Sequence, residues 1–372
     1  VWIGTERGIA KWNEASQCLD RDIPGIAETG DPYTVSLLED SKGRLWCAGD
    51  GANIIVIDFE AKLVYELTNT FERSQIYGMM EDDQGRIWHS SRNLGYQIID
   101  LEAKSARRLS KEQGLQGNFF INPFQDKEGL VWLSSGSGAS IVDLQKGRRI
   151  EMTVENGLIS NFVTSFYQDP KGRIWMTQGG GVQIIDKANS TLANFTAKEG
   201  LEGLGAATEV FQDKSGKYYI GSVLGLLFSY SESTGILEKF KITNSNGQFV
   251  FNILEDGQGQ IWTSIAQGGL YKIDSKGGRP GNFDNNSGLG SNDNWATLEA
   301  KDGKIWIGSR EGIDVYDPEN QTIKHLGKEQ GLIHESNTRL MEDSKGRIWG
   351  NGNRVGINII DPDKETIQRI ET

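Results

Sequence analysis

Cysteine is nearly absent: Cys18 and Cys47 are the only two in 372 residues. Two thiols cannot build a disulfide scaffold or a cysteine-based zinc site, and they say little about redox compartment. Histidine is confined to His89, His325 and His334, and the chain has no metal-ligand cluster, no Gly-x-Ser-x-Gly and no P-loop. Proline is sparse at 7 residues, whereas 47 glycines suit many tight turns between short strands better than disorder. Basic residues are outnumbered, 39 against 51, for a net charge of −12 and a pI near 4.9. Phosphate backbones and anionic membrane surfaces are therefore unfavourable partners, and no nucleic acid is expected. No stretch approaches the roughly 18 apolar residues of a membrane span, and no basic-then-apolar signal segment opens the chain. Since Val1 is not Met and the first residues already read as strand, the chain is expected to be a piece of a longer protein.

What is present is a repeat. The segment Glu39-Asp40-Ser41-Lys42-Gly43-Arg44-Leu45-Trp46 recurs as Glu81 to Trp88, Gln125 to Trp132, Gln168 to Trp175, Gln212 to Tyr219, Glu255 to Trp262, Glu299 to Trp306 and Glu342 to Trp349, with Trp2 heading a truncated first copy. Successive aromatic positions are 42 to 44 residues apart from end to end. That period is the size of one four-stranded propeller blade. In the fourth complete copy the pattern predicts strand A over 162–167, a tight turn at 169–172, strand B over 173–177, strand C over 182–186 and strand D near 192–196. The expected fold is all-β with helices nearly absent: a single propeller over 1–372, with eight complete repeats and a ninth, N-terminal one lacking its inner strand. An eight-blade ring with a loose partial blade, or a stretch of two smaller propellers, remain open alternatives.

Most motif residues have structural reasons. Asp40 and its equivalents can accept backbone N–H groups in the A–B turn, Gly43 and its equivalents can supply positive φ, and Trp46 and its equivalents can pack one blade on the next. Acidic pairs such as Glu39-Asp40 recur at the turn, where the repetition argues for structure.

Ligand contacts are expected where the D–A and B–C loops converge at the channel mouth. The loops into strand A repeat Gly-Leu at 114–115, 157–158, 200–201, 288–289 and 331–332, and three continue to Asn118, Asn161 and Asn292, which can cap their own turns or meet a ligand. Strand alternation assigns the small or polar residues four before the turn Asp to the channel and the mostly apolar ones three before it to the neighbouring blade. Glu209 and Arg339 are then the charged channel candidates. The B–C loops add Glu6 and Arg7, Asp50, Arg92 and Asn93, Gln178, Gln267, Arg310 and Glu311, and Asn353 and Arg354. Carboxylates and guanidinium groups on one rim suit a hydroxyl-rich or anionic small molecule, although each alone also reads as a solvated loop tip.

Asp-x-x-Gly-Arg-Ile-Trp followed by a small-residue turn, as in Trp306-Ile307-Gly308-Ser309-Arg310-Glu311-Gly312-Ile313, resembles the two-component regulator propeller family, and Gly157-Leu158-Ile159-Ser160-Asn161 strengthens the match. The Trp-Asp signature of WD40 repeats is absent, and Asp-box and quinoprotein repeats space these residues differently. The resemblance implies the periplasmic sensor region of a bacterial histidine kinase or hybrid regulator, with an oligosaccharide or other small-molecule ligand and a C-terminal signalling module. With no catalytic constellation in the residues, no cofactor, catalytic residue or metal is expected in the propeller itself. A homodimer is compatible with the resemblance. Two other classes compete: a propeller lyase or hydrolase, for which only His334 is expected near the mouth, and a protein-interaction scaffold using a flat propeller face.

Overall fold

A computed structural model describes residues 1–372 apart from 6–7, 21–33, 50–52, 69–75, 92–94, 116–122, 242–248, 275–279, 335, 338, 353–355 and 372. The described strands form nine antiparallel sheets, eight of four strands and a first of three. The fold is all-β and the sheets are propeller blades, numbered here 1 to 9 along the chain. Blade 1 holds Trp2–Thr5, Gly8–Asn13 and Cys18–Asp20, the B, C and D strands of a copy without strand A among the described residues. Blade 5 holds Val163–Gln168, Ile174–Gln178, Gly181–Asp186 and Thr191–Thr196, each within one residue of the predicted span. Helix is limited, among the described residues, to three-residue 3-10 turns such as Val154–Asn156 and Asn285–Ser287. The chain divides into two compact units, one of Val1–Gly179 with Ile185–Thr191 and the other of Gly180–Ile184 with Leu192–Thr372.

Within each unit the motif aromatics fill the space between consecutive blades, as expected. In the first, Trp88, Tyr96 and Ile98 of blade 3 cluster with Val131, Leu133 and Val142 of blade 4. In the second, Trp262 and Leu270 of blade 7 cluster with Ile305, Ile307 and Tyr316 of blade 8. Trp46, Trp88, Trp132, Trp175 and Trp262 are all fully buried. At ~25 cal/mol per Å² and about 200 Å² per indole, each contributes on the order of 5 kcal/mol of apolar burial.

The turn Asp does more than hold its turn. One carboxylate oxygen accepts the backbone N–H four residues on, at 2.8–3.1 Å in seven blades, and Gly43 and its equivalents adopt φ of 75 to 90° to close that turn. The other oxygen accepts the indole N–H of the motif Trp at 2.7–2.9 Å, from Asp40 and Trp46 through Asp343 and Trp349. In blade 6 Tyr219 keeps the bond through its hydroxyl, 3.3 Å from Asp213. Asp and Trp are thus one unit: the indole brings bulk to the blade interface, and the carboxylate satisfies the donor that this bulk buries.

The residue before the turn Asp forms a clasp between blades. The side chains of Glu81, Gln125, Gln168, Glu255, Glu299 and Glu342 accept the N–H of Ser41, Asp83, Lys127, Lys214, Gly257 and Lys301, each in the preceding blade, at 2.7–3.0 Å. Only Glu and Gln place an acceptor at that reach, which accounts for their alternation in the repeat. The structural expectation for the recurring acidic pair therefore holds.

Strand A departs from simple alternation. In blades 2, 3, 5, 6, 7 and 8 its register shifts around the residue five before the turn position, as between Val163 and Ser165, Ala207 and Glu209, and Val250 and Asn252. Such a bulge inserts an unpaired residue and reverses the facing of everything before it. The two positions read by alternation both follow the bulge, and the apolar set packs on the preceding blade as expected: Leu37, Met79, Phe166, Ile253 and Leu340 each join a cluster that includes residues of that blade.

Candidate functional site

The D–A and B–C loops meet along one edge of the blades. The first residue beyond strand B donates to the residue just before strand A in blades 5 to 8, from Gly179 to Phe162, Val223 to Ala206, Ala266 to Phe249 and Arg310 to Asp293, at 2.9–3.1 Å. In the second unit a further set crosses to the next blade: Gly180 donates to Gly205, Gly269 to Asn292, and Asn337 to Ser309. These bonds hold the loop tips of these blades close together.

Several candidates are engaged in holding the loops. Asn161 Oδ1 accepts from Val154 N and Asn292 Oδ1 from Asn285 N, both at 2.8 Å, so each fastens the 3-10 turn that precedes it. The Gly of the Gly-Leu motif ends that turn with φ of 94 to 118° at Gly114, Gly157, Gly200 and Gly288, and the Leu beside each is buried. Gln178 is fully buried and its Oε1 accepts from Ser160 N at 2.9 Å. Gln267 is exposed at the tip of its B–C loop with φ of 56°. Arg7, Asp50, Arg92, Asn93, Asn118 and Arg354, with Glu6 and Asn353, lie outside the described residues.

Glu209 was expected to bring a charge to the channel. Burial pushes its carboxyl pKa up to about 7, and a backbone hydrogen bond at Ile253 only partly opposes that. Near neutral pH it is therefore divided between acid and carboxylate rather than fully charged. Arg339 is exposed beside the shortened inner strand Leu340–Glu342, with its backbone N–H held by Asn351 Oδ1 at 2.7 Å.

Two candidates, Arg310 and Glu311, come together with groups the sequence did not bring forward. They line a cleft of about 480 Å³ with His325, Lys328, Glu329 and Gln330 at the loop end of blade 8. His325 lies next to the end of strand D of that blade, Thr322–Leu326, directly opposite Asp314 of strand C, Ile313–Asp317. Its Nδ1 lies 2.7 Å from Asp314 Oδ1. Asp314 is fully buried and also accepts from Gly290 N, at 3.1 and 3.2 Å to its two oxygens. The hydrogen bond to Asp314 raises the His325 pKa above the ordinary imidazole value; burial opposes it, and the Asp314 and Glu311 charges reinforce it. His334, the histidine expected near the mouth, accepts from Ser336 N through Nδ1. The chemically placed histidine is the outer-strand one. The same cross-strand polar pairing recurs in Ser140–Glu151 and Gln183–Asn194, which also hydrogen-bond, and only the strand register reveals it. Among the described residues no group of three or more His, Cys, Asp or Glu is arranged to hold a metal.

Residues 157–178 match the two component regulator propeller family, a stretch that holds both Gly157-Leu158 and Asp169 to Trp175. No curated protein matches the sequence. The chain is similar over its whole length to the extracellular domain of the putative one component system BT4673 from B. thetaiotaomicron, at 19% identity, covering 53% of that chain with a TM-score of 0.45. It is likewise similar to the extracellular domain of the putative hybrid two component system BT3049 from B. thetaiotaomicron, at 18% identity, covering all of this chain and 55% of that one with a TM-score of 0.40. The chain thus spans about half the length of these solved domains. The Dos1 propeller superposes on 85% of this chain and 88% of its own at 10% identity with a TM-score of 0.56, a likeness of fold.

Proposed function

We propose that this chain is the ligand-sensing propeller of an extracytoplasmic sensor in a bacterial signal-transduction regulator, and that it takes a carbohydrate or other small polar ligand on its loop face. The observation that carries this reading is the cleft of Arg310, Glu311 and His325, where donors and acceptors of both charges line one concave surface fixed by backbone hydrogen bonds. The family of the repeat supports the regulatory setting and a signalling module beyond the propeller. In this reading Asn161, Gln178 and Asn292 shape the loops, while Arg310, Glu311 and Gln267 meet the ligand. The propeller performs no chemistry of its own; a kinase or other output belongs to another part of the full-length protein.

Thermal unfolding in the presence of a broad oligosaccharide panel tests this directly. A saccharide that raises Tm in the native chain and fails to do so after Arg310→Ala supports it. If no saccharide shifts Tm while a purified partner protein binds tightly, the scaffold reading replaces it. The His325–Asp314 pair gives an enzymatic reading its one foothold, since a carboxylate-oriented imidazole is the arrangement of a general base; turnover of any stabilising saccharide, lost in His325→Gln, would establish that instead.

A further inference from the structure

The cleft at the end of blade 8 has an uneven chemistry that narrows its ligand. On one side the B–C loop brings Arg310 and Glu311, with Arg310 N held by Asp293 O and Glu311 N by Ser309 Oγ. On the other, the turn after strand D brings Lys328 and Glu329, pinned where Gly327 N meets Gln330 Oε1 at 2.8 Å. His325 sits between them, about a third exposed, with its Nδ1 edge committed to Asp314. Three glycines surround the ring: a Cβ at Gly290, Gly312 or Gly327 would lie 2.1, 2.6 or 3.2 Å from it. The imidazole therefore has one orientation, and only its Nε2 edge remains to serve the cleft.

We infer that this cleft captures the carboxylate of a small hydroxylated organic acid, with Arg310 and the Nε2–H of protonated His325 as its donors and Glu311 accepting a neighbouring hydroxyl. The inference rests on the sensing reading of the same site and adds to it the charge of the ligand. Asp314 cannot reach the ligand itself, being fully buried, but it supplies the counter-charge that keeps the imidazolium in place. A guanidinium and an imidazolium lining one cleft offer donors for the two oxygens of a carboxylate, and such charge-assisted bonds are about twice as strong as neutral ones. Glu311 and Glu329 keep the cleft from attracting anions indiscriminately and give hydroxyl groups an acceptor. When His325 loses its proton, the Nδ1–H stays with Asp314 and Nε2 turns a lone pair toward the cleft, which repels a carboxylate. The charged groups acting on His325 are thus Asp314 from strand C, Arg310 and Glu311 from the B–C loop, and Lys328 and Glu329 from the turn.

Glucuronate and glucose differ at one carbon, carboxylate against hydroxymethyl, and titration calorimetry with each at pH 6 and pH 8.5 is the test. Glucuronate is expected to bind roughly tenfold or more tightly than glucose at pH 6, to keep less of that advantage at pH 8.5, and to keep least in Arg310→Gln at both. His325→Gln is expected to remove the pH dependence. Should His325→Gln fail to fold, the exposed Arg310→Gln decides alone. Equal binding of the two sugars, no binding of glucuronate, or an unchanged preference in Arg310→Gln overturns the inference. If neutral oligosaccharides still stabilise the chain in that event, the sensing reading stands without it.

Discussion

Ala300 shares a buried cluster with Trp306, yet the indole N–H of Trp306 has no hydrogen-bond partner. Elsewhere in the array the residue at this position is Asp, and its carboxylate accepts the corresponding N–H, as from Trp262 to Asp256 at 2.7 Å. A buried donor without an acceptor costs about 1–3 kcal/mol. Ala300→Asp is therefore expected to stabilise the chain by about 1–2 kcal/mol, read as a rise in Tm, because it restores both the indole bond and the turn bond to Lys304 N. The opposite change in blade 7, Asp256→Ala, should cost about 2–3 kcal/mol by leaving Trp262 in the state of Trp306. An Ala300→Asp variant that melts lower than the native chain would show that the carboxylate cannot be accommodated there.

His89 offers a pH test. It is fully buried in strand B of blade 3 with Nε2 2.7 Å from Gln97 Oε1, and burial depresses its pKa to about 4, the Gln97 bond opposing. The unfolded chain takes up a proton near pH 6.5, whereas the folded one resists until about pH 4. Stability from this group is thus intact above pH 6.5 and declines as pH falls toward 4, by about 3 kcal/mol in all. Chemical denaturation between pH 7 and 4 should show His89→Gln losing less stability than the native chain over that interval. Equal losses would mean that His89 charges freely in the fold.

The repeat made the blades, the buried aromatics, the positive-φ glycines and the three-stranded first copy legible before any coordinates. Less visible were relations that depend on distance across blades. The clasp from Glu81 to Ser41 joins residues 40 apart, and only the recurrence of Glu or Gln before Asp hinted at it. The bulge before Ser165 and Glu209 leaves no trace in residue type, so alternation could not be carried past it toward the start of strand A. His325 reads as an outer-strand residue in sequence, and nothing local shows that Asp314, eleven positions earlier, lies directly opposite it. The site emerged from pairing register, which a linear pattern does not carry.

Glu209 titrates in the other direction from His89. Burial raises its carboxyl to about 7, so the stability it confers is complete below its ordinary value of 4.5 and is lost as pH rises through 7. Glu209→Gln keeps an acceptor for the Ile253 N–H while removing the charge. The variant should melt higher than the native chain at pH 8.5, by about 1–2 kcal/mol given the partial exposure of the side chain, and nearly with it at pH 5. A variant that is no more stable at pH 8.5 would place the carboxylate in water and restore it as a charged channel group.

Gly290 links the loop before blade 8 to the histidine site, because its N–H is shared by the two oxygens of Asp314 while its α-carbon faces the imidazole. A Cβ there would lie 2.1 Å from His325 Cε1 and 2.2 Å from Nδ1, far inside contact distance, and the ring is itself confined by Gly312 and Gly327. Gly290→Ala must therefore either push His325 off Asp314 or lift the loop from Asp314. Displacing the ring removes the hydrogen bond that raises the histidine pKa, so an NMR titration of the His325 ring should move toward the ordinary value near 6.5. Lifting the loop leaves the ring titration high and exposes the Gly290 amide to hydrogen exchange instead. Either response ties the loop to the pair; a variant with native titration and native amide protection would show that the site absorbs a methyl group without loss of its geometry.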